Sequence, residues 1–447
     1  MTNDELNPKE ILEKILKRNV DQAEVYFTSS KTLQIDVLDQ KVESIDGVTD
    51  QGLGIRVIKD KRLGFAFTSD FDEDILEETI DQAIHNAKNA EVDEFNGLPR
   101  GIVVQAESSA GLYDRAIIET SVEKKIELAL QIEQTAYSTD KRIKKTQNVS
   151  YSDSEVEVWL VNSNGFSGKF KSNLCGASAQ VIATNDGTME MGFGMDYVKK
   201  FADLAADKIG QEAAEKACMM LGAKSIPSQN IPLVFDPFVG TSILGILSSM
   251  LSADDAQKGK SLFADKLGQR VSSDVLNIID NGRLPGGLDT SPFDGEGVPT
   301  QETKLIDKGM LKTFLYNTYT ANKGKTKSTG NASRASFKGQ PSVGTTNFYI
   351  PANQHKPEQM IKSIKKGLYI TRVMGIHTAN PISGDFSVGA AGVMIENGQK
   401  TFPVRGVTIA GNLIDMLKAV DAVGSDLRFF AAVGSPTLLV SGMSISG

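Results

Sequence analysis

Three histidines, two cysteines and a few glycine-flanked carboxylates are the residues with which this chain could do chemistry. A catalytic zinc takes three protein ligands from His, Cys, Asp or Glu and keeps one position open. None of His85, His355 and His377 has a second His or Cys at helical spacing. His85 falls on an acidic helical stretch and reads as a surface or boundary residue. His355 sits in a polar PANQHKPE loop, and His377 precedes a Gly-containing loop. Cys175 and Cys218 lie among small and apolar residues and read as packing residues. The nucleophile pattern G-x-S-x-G does not occur. Gly52-x-Gly54 and Gly192-x-Gly194 lack the third glycine and the strand–turn–helix context of a dinucleotide loop. Asp294 and Glu296 are an acid–base pair in principle. Two residues apart in a Gly-rich turn, their first reading is turn-building, because Gly supplies positive φ and Asx side chains bond nearby backbone.

Bulk composition narrows the classes. The chain has 447 residues, 40% hydrophobic and 23% charged, with net charge −8. Its pI of about 5.2 argues against a nucleic-acid surface over the whole protein. Lys323, Lys325, Lys327, Arg334 and Lys338 form the one local basic strip, and their Gly/Ser/Thr context reads as a solvated loop. The N-terminus MTNDELNPKE is acidic and polar, unlike a signal peptide. Two cysteines imply no disulfide framework, and a reducing cytoplasm fits.

The elements that would position these residues follow from periodicity. Asn7-Pro8-x-Glu10 predicts a capped helix start. Short strands are expected at 23–28, 33–38, 41–45, 52–58 and 63–68, then an acidic helix to about Ala90. Residues 91–120 read as loop, 121–137 as helix, 145–162 and 168–183 as antiparallel strands, and 197–221 as a long helix. The PSQNIP stretch, 227–232, reads as a linker. Beyond it, residues 238–251 carry no charge and are apolar almost all round, which predicts a buried helix; it is too short and too rich in Ser and Gly to span a membrane. The expected fold is α+β in two domains. Residues 1–227 would combine strands with long flanking helices, and residues 228–447 would be β-rich, mixed or antiparallel, around the buried helix.

Four strings in the second half carry a resemblance. Pro292-Phe293-Asp294-Gly295-Glu296-Gly297-Val298-Pro299 is similar to a P-F-D-x-E-G-V loop. Asn380-Pro381-Ile382-Ser383-Gly384-Asp385-Phe386 is similar to an N-x-x-[ST]-G-D-[FY] loop. Ile395-Glu396-Asn397-Gly398 and Ile409-Ala410-Gly411-Asn412 match I-E-N-G and I-A-G-N. In this order and spacing they resemble the TldD/TldE (PmbA) peptidase family, also called modulators of DNA gyrase. In the TldD branch the helix at 238–251 carries a zinc motif, H-E-x-x-x-H. Here the matching positions are Gly245, Ile246 and Met250. The third ligand of that branch is a Cys, and the stretch matching it near 422–425 has none.

The resemblance therefore implies the TldE/PmbA branch. Such a chain has no catalytic residues of its own and binds no metal; zinc and the glutamate base belong to a TldD-like partner chain. The implied assembly is a cytoplasmic heterodimer acting on unfolded peptides and peptide precursors, with weaker self-pairing when alone and no nucleic-acid or membrane partner. Asp294, Glu296, His377, Asn380, Ser383 and Asp385 are then the candidate peptide-binding residues. Two other classes stay open: a non-enzymatic binding protein of the gyrase-modulator kind, and a stand-alone carboxylate-dependent hydrolase.

Overall fold

The computed structural model describes residues 6–100 and 111–447. The chain opens on helix α1 (Pro8–Leu16), where Asn7 accepts from the Lys9 amide and donates to the Glu10 carboxylate at 2.9 Å. Strands β1 (Gln22–Leu38) and β2 (Lys41–Lys59) follow as one long hairpin, paired from Gln22↔Ile58 to Leu38↔Lys41 with a register shift between Asp36 and Val37. The sequence predicts four short strands here. It loses the signal at Ser29–Thr32 and at 46–51, where polar residues interrupt the apolar alternation; apart from the buried Ser29 they are exposed or half-buried. The hairpin turns through Asp39 and Gln40, both at positive φ, as a two-residue turn matching strand twist requires. Asp60 and Lys61 do the same before β3 (Arg62–Thr68).

Helices α2 (Glu73–Asn89), α3 (Arg115–Glu119) and α4 (Val122–Thr139) precede the remaining strands of this sheet, β4 (Ile143–Asn162), β5 (Ser167–Asn185) and β6 (Thr188–Val198). The expected loop at 91–120 thus contains α3, while its residues 101–110 lie outside the described ones. The sheet order is β3-β2-β1-β4-β5-β6, antiparallel throughout. The long helix expected at 197–221 is shorter. Tyr197 and Val198 finish β6, and α5 spans Ala206–Met219.

Helices α1 and α2 cover one half of the sheet, with Ile80 and Ala83 against Leu53, Ile55 and Val57. The other half is covered by α4 and α5, where Ile132, Ile209 and Ala213 meet Val149, Tyr151 and Val181. A Cβ on Gly192 would come within 2.2 Å of the Ala213 carbonyl, so the bare strand lets α5 lie flat on β6. The outer edge of β2 from Lys41 to Gln51 has no strand beside it among the described residues, since β3 begins pairing only at Leu53. Val42, Ile45 and Val48 are exposed there.

In the second half the strands Gln399–Asn412, Asp385–Glu396, Lys366–Met374, Gln229–Phe235 and Leu438–Ser446 pair in turn, and the last returns to the first at Thr408–Ala410. This closes a barrel, with Val420–Val423 added on its rim. A second six-stranded sheet runs from Met310–Leu311 to Arg428–Phe430. Helix α6 (Pro237–Met250) lies between the two, and one continuous core joins Leu244 and Leu247 to Leu233 and Ile370 of the barrel and to Leu305 and Phe348 of the sheet. α6 buries a stripe rather than its whole circumference: Gly245 and Ser249 are exposed and Ile246 is half-buried. Their neutral, small character hides the wet face from an apolarity count.

Candidate functional site

α6 is held at both ends. Asp236 caps it, accepting from the Phe238 amide at 3.0 Å and from the Tyr369 hydroxyl at 2.6 Å. Burial and the Asp236 carboxylate push the Tyr369 hydroxyl far above its ordinary pKa. Pro237 fills the first helical position, where an N–H would have no partner. At the other end the Ser261 hydroxyl donates to the Met250 carbonyl at 2.6 Å, and the neighbouring Leu262 amide donates to the Pro381 carbonyl at 2.9 Å.

Those bonds tie the Asn380–Asp385 loop to the end of α6, and the turn Ile376–Thr378 packs against the helix itself. His377, Asn380, Ser383 and Asp385 are all exposed on this loop. Asn380 is spent on the turn: its side-chain oxygen accepts from the Ile382 and Ser383 amides at 2.8 and 3.1 Å. The Asn412 side chain donates to the Ser383 carbonyl at 2.8 Å and to Asp385 at 3.0 Å. Hydrogen bonds from Asn412 and then Ser383 hold the Asp385 carboxyl below the usual carboxylate range. Met374 and Ile382, 50% and 55% exposed, add apolar surface.

The residues at the zinc-motif positions do not fit a zinc ion. Gly245 and Ile246 carry no donor, and the Met250 thioether is fully buried in the core. A Cβ on Gly245 would meet nothing within 4 Å. Among the described residues no group of three His, Cys, Asp or Glu side chains gathers elsewhere. The stretch expected to lack a third ligand pairs by backbone with His355, whose carbonyl accepts from the Ser425 amide at 2.8 Å.

Asp294 and Glu296 lie elsewhere, buried in the seam where loops of the second half cover the outer face of β1 and β4. Asp294 accepts from the Glu296, Val298 and Ala332 amides, each at 2.9 Å. Glu296 accepts from Arg56 at 2.9 Å and from the Thr318 amide at 2.8 Å. Burial and the neighbouring Glu296 charge raise the Asp294 pKa; burial works the same way on Glu296, but Arg56 and Thr318 outweigh it and hold it low. The two carboxyls border different cavities. They converge on no common reacting atom, as an acid–base pair must. The expectation that they line an open peptide groove with Asp385 gives way here to a structural role, since their oxygens are taken by backbone and guanidinium donors. No hydrogen bond or ion pair joins them to the Asn380–Asp385 loop among the described residues.

Family-level sequence models match along the chain: PmbA/TldA metallopeptidase domain 1 over residues 23–87, the central domain over 115–221, and the C-terminal domain over 228–447. A metalloprotease PmbA homolog of Haemophilus influenzae is 30% identical over 429 residues, covering 95% of this chain and 92% of that protein. This chain belongs to the PmbA/TldD family. Among solved structures, a putative modulator of a DNA gyrase from Thermotoga maritima superposes with TM-score 0.90 at 26% identity, covering 98% of this chain and 99% of that one. TldE from Thermococcus kodakarensis shares the fold at TM-score 0.91 and 23% identity, covering 98% and 99%.

Several residues that matter in the seam escape a motif search. Arg56 bridges Glu296 and Glu24, the latter at 2.7 Å, and Arg334 reaches Glu24 from the other side. Arg334 is thereby withdrawn from the basic strip, and Lys338 pairs with Asp50 at 3.1 Å, while Lys323, Lys325 and Lys327 stay exposed. A signal for Arg56 exists: it interrupts the apolar run Gly52–Ile58, and a charge inside a strand buried on both faces needs a buried counter-charge. The Gly-x-Gly pairs have the same kind of explanation. Gly52 and Gly54 admit Phe337 and its carbonyl, and Gly192 and Gly194 admit α5. Cys175 is buried, its thiol pushed up to about 12 by burial, whereas Cys218 is only half-buried. No helix among the described residues is long and apolar enough to cross a membrane.

Proposed function

We propose that this chain is the non-catalytic, TldE/PmbA-like member of a cytoplasmic two-chain zinc metallopeptidase, and that a TldD-like partner supplies the zinc, the glutamate base and the hydrolysis. The observation that carries this reading is the set Gly245, Ile246 and Met250 on a helix otherwise built and pinned for the purpose. The share of this chain is to close the chamber and to hold an unfolded peptide or peptide precursor in extended form. The exposed face of α6 and the loop bearing His377, Asn380, Ser383 and Asp385 support it. They combine polar groups, which suit an extended backbone, with the apolar Met374 and Ile382, which suit alternate side chains. Asp294 and Glu296 frame the seam that fixes residues 228–447 against residues 1–227, the two domains of this reading.

The test is reconstitution. Sizing of this chain mixed with a TldD-like chain from the same organism at micromolar concentration should show one larger species. The mixture should release peptide fragments that neither chain releases alone. Two separate peaks with no gain in hydrolysis overturn the reading.

A further inference from the structure

The seam contains a second site that has no part in the α6 surface. A cavity of about 300 Å³ lies between the outer face of β4 and β5 and the loops at 288–300 and 330–346. Four charged side chains line it: Lys199, Asp289, Asp294 and Arg334. Two are already committed, Asp294 to three backbone amides and Arg334 to Glu24 and the Gly295 and Gly339 carbonyls. The other two are not. Lys199 is only 7% exposed, and its ammonium donates to the Ser172 hydroxyl at 2.8 Å, but no carboxylate reaches ion-pairing distance among the described residues. Lysine is almost never buried unless paired, because an uncompensated ammonium loses its hydration. Burial pushes its pKa down to about 8, and the Asp289 carboxylate opposes that shift from a distance.

Asp289 is exposed as a residue, yet burial around its carboxyl raises its pKa, opposed by the Lys199 charge, and its backbone amide is fixed by the Asn347 side chain at 3.0 Å. Both residues line the same cavity without forming an ion pair, and Val156, Phe170 and Phe293 contribute apolar wall to it. Two opposite charges that line one small cavity without pairing to each other complement a molecule that carries both charges. A plain anion would satisfy Lys199 but also meet the Asp289 charge. The volume sits at the low end for ligand sites, which sets the size. We propose that this cavity binds a small zwitterion of the free amino acid or dipeptide class, its carboxylate on Lys199 and Ser172 and its ammonium toward Asp289. The site does not depend on the two-chain reading and is tested on the single full-length chain.

Calorimetric titration with L-alanyl-L-alanine, its C-terminal amide, its N-acetyl form and inorganic phosphate separates the contributions. The free dipeptide should bind saturably, and each blocked form should bind at least tenfold more weakly. Lys199→Met should abolish binding, and Asp289→Asn should remove the preference for the free dipeptide over its N-acetyl form. A measurement on the unaltered chain guards against a variant that fails to fold: the NMR titration midpoint of the Lys199 side chain should rise from about 8 toward the ordinary lysine value when the dipeptide is present. Phosphate binding as tightly as the dipeptide, a midpoint unmoved by the dipeptide, or no saturable heat at millimolar concentration each overturns the proposal.

Discussion

Arg56 and Glu296 meet at 2.9 Å although 240 residues separate them in sequence. With Glu24 and Arg334 they form a buried row of alternating charge, Glu296–Arg56–Glu24–Arg334. Burial works against the Arg56 charge, but its two carboxylate partners hold its pKa above the ordinary value. Arg56→Met should therefore leave Glu296 without its cation and Glu24 with only Arg334. Breaking a buried ion network by removing one partner costs about 3–5 kcal/mol. Urea unfolding should show that loss, and Arg56→Lys should recover only part of it, because an ammonium cannot fork to two carboxylates.

The wet face of α6 makes the motif positions unequal. Gly245→His and Ile246→Glu place polar groups at exposed and half-buried sites, and together they should shift the melting temperature by no more than a few degrees. Met250→His puts an imidazole into a fully buried position and should cost roughly 2–5 kcal/mol. The triple variant should hold no stoichiometric zinc by elemental analysis.

Asp280 gives a pH signature. Burial raises its pKa from 3.8 to about 6, despite hydrogen bonds from Asn331 and Thr346. A carboxyl that holds its proton more tightly when folded stabilises most below its unfolded pKa, and that contribution is lost as pH rises through the folded one. Relative to Asp280→Asn, the unaltered chain should lose roughly 3 kcal/mol of stability between about pH 4 and pH 6. Denaturant melts on both proteins across that window measure it.

Gly192→Ala should destabilise the first sheet, where α5 packs on β6, before the barrel. The new methyl would sit 2.2 Å from the Ala213 carbonyl and 2.3 Å from the Ala217 amide, so α5 must lift away from β6. A loss of about 1–3 kcal/mol is expected. Hydrogen exchange should speed up in α5 and β6 first, and equal loosening of the barrel would contradict this.

Much of the architecture was legible because it is local. The Asn7–Glu10 start and the turns after β2, β4 and β5 each rest on a few adjacent residues, whereas the wet face of α6 does not show in its apolar composition. The α+β class follows from the local signals. Only the last two residues of β6, Tyr197 and Val198, read as helix, because Ala206, Ile209, Ala213 and Ala217 set a helical period that draws them in. The candidate site divided along the same line. The Asn380–Asp385 loop was visible as a string and stands exposed beside α6. Asp294 and Glu296 were equally visible, but their surroundings come from Arg56, Ala332 and Thr318, and no spacing rule connects partners so distant in sequence. Lys199 had no signal at all, since its isolation from carboxylates is a property of the folded cavity alone.

The uncovered ribbon of β2 bears on how the protein behaves in concentrated solution. Between Lys41 and Gln51 its free backbone edge is a template for pairing with another copy, and Val42, Ile45 and Val48 would reward the contact. Glu43, Asp46 and Asp50 are what keeps copies apart, and Asp50 already shares its charge with Lys338. Added salt screens these charges over about 8–10 Å, and the repulsion fades. Association at high salt should then begin at this ribbon, while the barrel, which has paired its own ends, stays intact within the precipitate.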